Sequence, residues 1–293
     1  MRRRVVITGL GAITPLGNDV PTMWEALLAG KSGVAPITRF DASNLEVRIA
    51  AEVKGFDPAA LFGSREARRN DLFTLYALAA ARQAVTDAQL EFDDALREAT
   101  GVIVGSGIGG ALTLLENHDV LRQSGPRRVS PFMVPMMMPN AASAVISITY
   151  GLKGPVLSVS SACTTGANAV GEASEMIRRG AAQVVICGGS EAVLHPISVA
   201  GFANMGALST HNEEPERACR PFDAERDGFV IGEGAGVLVL ESLEYAQHRG
   251  ARIYAELAGY GASADAYHIA APDEDGSGAA RAMELALKDA GIS

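Results

Sequence analysis

Short, nearly uninterrupted apolar runs recur along the chain, most of them beside glycine: RVVITG (4–9), GVIVG (101–105), VLSVS (156–160), QVVICGG (183–189), GVLVLE (236–241) and RIYAELAGYG (252–261). Runs that lack polar alternation predict strands covered on both faces. Between them, apolar residues fall at helical spacing. Leu72, Leu75, Tyr76 and Ala79 do so within 71–89, Ala141, Ala144, Val145 and Ile148 within 141–149, and Ala167, Val170, Ala173 and Ile177 within 164–179. Strands alternating with helices predict an α/β fold with mainly parallel pairing. No low-complexity linker interrupts the pattern.

The pattern also repeats. VVITGLGA (5–12) is echoed by YAELAGYGA (254–262), each a strand ending in Gly-x-Gly. ALAAARQAVTDAQL (77–90) is echoed by AARAMELALKDAGI (279–292), each an amphipathic helix closing on Asp-Ala-x-Leu/Ile. Two matches in the same order suggest a duplicated half. The first half continues into strand 101–105 and on to Cys163, whereas the second stops at Ser293, short of most of its sheet.

Composition narrows the classes of function. A chain of 293 residues, 48 % hydrophobic, has ample material for one large domain or two moderate ones. The formal net charge of -9 argues against a nucleic-acid backbone as main partner. Three cysteines do not make a disulfide framework. The opening MRRRVVITGLG is basic, but its apolar run is too short for a secretory segment. No stretch approaches the roughly 18 uninterrupted apolar residues of a membrane span. These features predict a soluble protein of a reducing compartment, cytoplasmic if bacterial, without a membrane partner.

Two motifs carry chemistry. GVIVGSGIGG holds Gly105, Gly107 and Gly110 in a G-x-G-x-x-G pattern after a strand. The dinucleotide fingerprint expects an acidic residue about 20 positions further on, and none occurs between Asp119 and Glu172. A tight turn with close backbone packing is the better account, with Ile108 an apolar side chain suited to lining a cavity. The second motif is SVSSACTTGANAV (158–170). A strand runs into Ser161-Ala162 and then into a helix whose first turn holds Thr164, Thr165, Gly166 and Ala167. Such a turn presents Cys163 at the strand end. The helix N-terminus offers free N–H groups and a positive end, which favour a thiolate and an oxyanion on an attacked carbonyl. Cys187 lies inside a strand pattern and Cys219 in the loop RACRPFD, neither with that setting.

Taken together, GPVLSVSSACTTGANA (154–169), GSGIGG (105–110), PFDAERDGFVIGEGAG (221–236) and SADAYHIAAP (263–272) resemble the elongating β-ketoacyl-acyl carrier protein synthases. These are condensing enzymes of fatty-acid synthesis with the thiolase-like fold. The resemblance covers the whole chain and implies a five-layered α-β-α-β-α architecture from two similar halves. Residues 1–250 would form the half carrying the nucleophile, and 251–293 the incomplete start of the second. It further implies a homodimer with strands near the nucleophile pairing across the interface, and neither cofactor nor metal. The implied partner is acyl carrier protein bearing phosphopantetheine-linked acyl and malonyl groups.

In that family a cysteine takes the acyl chain as a thioester, malonyl carrier protein loses CO2, and the resulting carbanion attacks the thioester. Cys163 matches the nucleophile. The family's two catalytic histidines, its lysine and its glycine-rich gating loop belong to motifs beyond Ser293. His118, His195, His211, His248 and His268 lack the catalytic context and read as surface or supporting residues. Carried over as acyl-pocket residues are Ile108 and Phe202, with Phe132 and Met133 expected to reach the partner's pocket. The methionine-rich MVPMMMPN (133–140) could line an alkyl tunnel. Arg65, Arg68, Arg69, Arg127 and Arg128 match positions that meet the acidic carrier protein. Gly206 stands where the family carries a basic residue, and Ala270 and Ala271 replace hydroxyl residues near its pantetheine channel. Two other readings share these motifs: a polyketide-type ketosynthase, and a non-catalytic ketosynthase-like subunit or fragment. Chain-length-factor relatives usually lack the nucleophile, so Cys163 argues against the latter.

Overall fold

The computed structural model describes residues 2–292. Its strands are β1 (Val5–Ile13), β2 (Ala35–Pro36), β3 (Ile49–Ala50), β4 (Thr100–Gly105), β5 (Val156–Leu157), β6 (Val184–Glu191), β7 (Gly234–Ser242) and β8 (Ala255–Glu256). All six apolar runs of the sequence became strands of one sheet, in the order β5-β4-β6-β7-β1-β8, while β2 and β3 form a separate pair.

Strand direction departs from expectation. β4 runs parallel to β5 and β6, but β6–β7, β7–β1 and β1–β8 are antiparallel, so parallel pairing is not the majority. Continuous apolarity reports cover on both faces and is indifferent to direction. β7 shows this: Val237, Val239 and Leu240 are fully buried although both its neighbours run the other way.

Layers follow from which residues face which side. Helices Leu72–Asp87 and Ala141–Tyr150 cover one face of the sheet, packing Phe73, Tyr76, Ala80 and Ile146 against Val102, Val104, Ile186 and Val237. Asp71 caps the first by accepting from Phe73 N–H, and the second closes on left-handed Gly151. Helix Thr165–Arg178 covers the opposite face, burying Ala169, Ala173, Met176 and Ile177 against Ile103, Val185 and Leu240. Full burial of a side chain the size of Met176 or Ile177 is worth about 1.5–3 kcal/mol. Beyond that helix runs the segment 257–262, and beyond it helix Ser277–Ala290. The Tyr260 ring lies on Gly171 of the inner helix, whereas Gly259 and Gly261 face Ala286 and Ala282 of the outer one. Helix, sheet, helix, extended segment and helix thus succeed one another. Among the described residues the fourth layer holds no paired strand, since β8 ends at Glu256 and joins the first sheet through β1.

The duplicated pattern is structural. A Cβ on Gly9 or Gly11 would collide with the carbonyl oxygens of Ala84 and Ala80. One on Gly259 or Gly261 would collide with those of Ala286 and Ala282. In each half, glycine lets the chain approach a helix backbone directly, from strand β1 in the first and, in the second, from an irregular segment where the sequence predicts a strand. The Leu10 N–H donates to Asp87 at 2.9 Å, and the Tyr260 N–H to Asp289 at 3.0 Å. Each aspartate is also held by the other half. Tyr254 Oη donates to Asp87 at 2.9 Å, while Arg178 at 2.7 Å and Arg2 donate to Asp289. Arg178, its side chain 5 % exposed, also donates to the carbonyls of Leu257 and Ala258.

Candidate active site

Strand β5 ends after two residues, because Ser158 turns aside to bond the carbonyls of Val104 and Pro139. The chain then enters a one-turn 3-10 helix, Ala162–Thr164, that leads into helix Thr165–Arg178. At the junction Ala162 takes a φ of +52°, a left-handed conformation that costs a residue with a Cβ on the order of 1 kcal/mol. Neighbouring bonds hold it there. The Ser161 N–H donates to Thr165 Oγ1 at 2.8 Å, and Thr164 Oγ1 donates back to the Ser161 carbonyl at 2.9 Å. Thr165 is itself buried against Gly105.

This elbow throws Cys163 outward, and its side chain is exposed. Among the described residues, none of the hydrogen bonds around the elbow uses the Cys163 N–H. An exposed sulfur and a free donor therefore share one residue, an arrangement able to hold a tetrahedral oxyanion beside the sulfur. The other cysteines differ as expected. Cys187 is fully buried in β6, and burial pushes its thiol far up, whereas Cys219 is exposed in the loop after a 3-10 turn at Pro215–Arg217.

The glycine turn lies beside the elbow. Gly107 faces Ala162, its carbonyl accepting from Ser160 Oγ at 3.2 Å. Backbone of Met136, Met137 and Pro139 fills the space against Gly109 and Gly110, and the Gly110 N–H donates to Met137 at 3.1 Å. Protein occupies the place a pyrophosphate would need, consistent with a packed turn. Ile108 emerges from it 47 % exposed. Phe132 caps the short helix Met133–Met137, so Ile108, Phe132 and Met133 sit on two segments that meet at this turn. Phe202 lies half-buried on helix Pro196–Asn204, edge-on to Phe229 at 5.4 Å, in a separate core cluster with Val193, Leu194 and Val199.

Arg65, Arg68, Arg127 and Arg128 are exposed. Arg69 is half-buried, its guanidinium stacked over the Phe132 ring at 4.6 Å. That contact brings the first arginine cluster to the segment carrying the second. The histidines have local partners: His195 Nδ1 accepts from Ile197 N–H at a helix start, His268 Nδ1 from Ala270 and Ala271, and His211 meets Arg220. One residue escaped notice in the sequence. Glu191, closing β6, accepts from Ser106 Oγ and from Gly107 N–H, both at 2.9 Å, beneath the glycine turn. Its only signal was an acidic residue ending an apolar strand.

Residues 2–246 match the family of the Beta-ketoacyl synthase, N-terminal domain, and 254–293 that of the Beta-ketoacyl synthase, C-terminal domain. A 3-oxoacyl-[acyl-carrier-protein] synthase 2 of Coxiella burnetii is 51 % identical over 292 residues, covering 100 % of this chain and 70 % of that protein. A beta-ketoacyl synthase from Burkholderia phymatum superposes with a TM-score of 0.90 at 37 % identity, covering 99 % of this chain and 71 % of that one. A type II PKS acyl-carrier protein in complex with its ketosynthase bound to the hexaketide offers a chain matching with a TM-score of 0.87 at 35 % identity, over 100 % of this chain and 71 % of its own. A strand-to-helix elbow with an outward cysteine, inside this layer order and across both halves of the match, makes the chain a member of the β-ketoacyl synthase family.

Proposed function

We propose that the protein is a condensing enzyme of fatty-acid elongation, a 3-oxoacyl-[acyl carrier protein] synthase that works through an acyl-Cys163 thioester. The observation that carries this is the exposed Cys163 on its positive-φ elbow, with its own N–H free beside the sulfur. In the first stage Cys163 Sγ attacks the carbonyl of the carrier-bound acyl thioester. The sulfur–carbon bond forms, the Cys163 N–H steadies the oxyanion, and the pantetheine thiol leaves with the proton. In the second, malonyl carrier protein loses CO2 and its carbanion displaces Cys163 from the acyl carbonyl. The names of the curated relatives favour fatty-acid over polyketide chemistry.

Ile108 with Phe132 and Met133 would line the acyl chain's path near the elbow, and Phe202 a more remote part. The exposed Arg65, Arg68, Arg127 and Arg128 would meet the acidic carrier, as a neighbour described in complex with its carrier protein suggests. Cytoplasmic work suits the chain, and among the described residues no helix is long and apolar enough to cross a membrane. A homodimer suits it too, since β5 lies at the sheet edge with Leu157 51 % and Ile148 80 % exposed nearby.

The test separates the two stages. Incubation with an acyl carrier thioester followed by peptide mass mapping should find the acyl group on Cys163 alone, and Cys163→Ala should abolish it. Brief iodoacetamide treatment should label Cys163 ahead of Cys219, with Cys187 protected. The second stage also needs the family's decarboxylating histidines, and none of His118, His195, His211, His248 and His268 stands in their context. Residues 1–293 alone should therefore acylate Cys163 without decarboxylating malonyl carrier protein. Acylation elsewhere, or none, would refute the assignment of Cys163.

A further inference from the structure

We propose that Glu191 is a positioning residue that ties the Gly105–Gly110 turn to the Cys163 elbow and thereby fixes Ile108 as the wall an incoming acyl chain meets. Four observations converge. First, the carboxylate uses both oxygens on the turn, taking Ser106 Oγ at 2.9 Å on one and the Gly107 N–H at 2.9 Å on the other. Second, Ser106, 1 % exposed, passes the tie onward by accepting the Gly109 N–H at 2.8 Å. Both amides flanking Ile108 therefore depend on this one side chain. Third, a Cβ on Gly107 would stand 2.9 Å from Glu191 Oε2 and 3.6 Å from the Ala162 carbonyl, so the turn is pressed between the carboxylate and the elbow. Fourth, a Cβ on Gly189, two residues before Glu191, would come within 3.0 Å of the Gly166 Cα, so β6 touches both the helix behind Cys163 and the turn in front of it.

The choice of residue is informative. Among the described residues Glu191 has no cationic partner within salt-bridge distance. Burial raises its carboxyl above the ordinary value, against hydrogen bonds from Ser106, Gly107, Ile108 and Ala192 that lower it. A buried carboxyl without a counter-charge is an expensive way to cap a strand. What glutamate supplies, and glutamine does not, is two acceptor oxygens on one planar group. The turn asks for two.

The inference rests on the acyl-Cys163 reading in its selectivity arm, and stands apart from it in its exchange arm. Three variants are compared with the parent chain: Glu191→Gln, Ser106→Ala and the pair combined. Amide hydrogen exchange of the peptide spanning 105–110 should quicken about tenfold in each single variant, the worth of one hydrogen bond to a charged group. The double variant should quicken by less than the product of the single effects, because the Ser106–Glu191 bond is lost in both single variants. Acyl transfer to Cys163 from a dodecanoyl and a butyryl thioester should change its rate ratio about tenfold in all three, on the scale of one apolar contact at a substrate chain. Unchanged exchange over 105–110, or additive single effects, would overturn the tie. Faster exchange with an unchanged rate ratio would overturn the role of the turn as acyl wall. If the parent accepts no acyl group at all, the acyl-Cys163 reading fails while the exchange arm still decides the tie. If Glu191→Gln does not fold, Ser106→Ala alone carries both measurements.

Discussion

Replacing Asp289 by asparagine asks how much of the union between the two halves is electrostatic. Asp289 takes the Tyr260 N–H at 3.0 Å, Arg178 Nη1 at 2.7 Å and Arg2. Burial works to raise its carboxyl, but the bonds from Arg2, Tyr260 and Arg178 outweigh it and hold the group at about 2, against an ordinary 3.8. Each pH unit of such a gap corresponds to about 1.4 kcal/mol. With Arg2 half exposed and screened by solvent, the contribution is about 2 kcal/mol at neutral pH. The folded value lies below the unfolded one. The stabilisation is therefore complete above the unfolded value and is lost as pH falls towards the folded one. Asp289→Asn should be less stable than the parent by about 2 kcal/mol near pH 7 and pH 5, and by about half that at pH 3. Urea unfolding followed by circular dichroism at these three pH values measures the difference. A gap that stayed constant from neutral pH to pH 3 would show that the substitution disturbs packing and not charge. No gap at neutral pH would show that the clamp contributes nothing.

Other outcomes follow from the same structure. Gly11→Ala places a Cβ into the Ala80 carbonyl and should cost about 3 kcal/mol or more, whereas Gly166→Ala, whose nearest neighbour would be 3.7 Å away, should melt close to the parent. Equal melting temperatures for the two would refute the close strand–helix approach. Converting Arg65, Arg68 and Arg69 together to Glu should slow acylation of Cys163 by a carrier-bound acyl group and remove its salt dependence, with a small soluble thioester affected little. An equal loss with both donors would make the cluster structural, as the stacking of Arg69 on Phe132 would then explain.

Much of this architecture was legible along the chain, and the parts that were not share physical reasons. Strands showed because β-branched runs between glycines have few other uses, and the echo of Gly-x-Gly and Asp-Ala showed because both copies make the same contacts. Asp87 and Asp289 each accept the N–H between their two glycines. Strand direction was hidden, since burial on both faces looks alike in either sense. The shortness of β5 was hidden too, because Ser158 leaves the ladder through side-chain bonds that no hydropathy pattern encodes. At the site, the cysteine elbow was readable from its small residues. Glu191 was not, because its partners Ser106 and Gly107 lie more than eighty residues away in sequence and reach it only through β4–β6 pairing. Likewise Arg69 read as a surface charge, and only the folded chain puts it over an aromatic ring.

The crossed aspartates have a practical consequence. Asp87, in the first half, is grasped by Tyr254 from the second, and Asp289, in the second, is grasped by Arg2 and Arg178 from the first. A peptide-bond break near left-handed Gly250 would leave each fragment holding the other's counterpart: a large piece with an open seat for the segment 254–262, and a short one whose helix has lost its lattice of donors. Such pieces are suited to fragment complementation. On meeting, the two would restore the bonds of Asp87 and Asp289, so that a reporter split between them would signal the encounter.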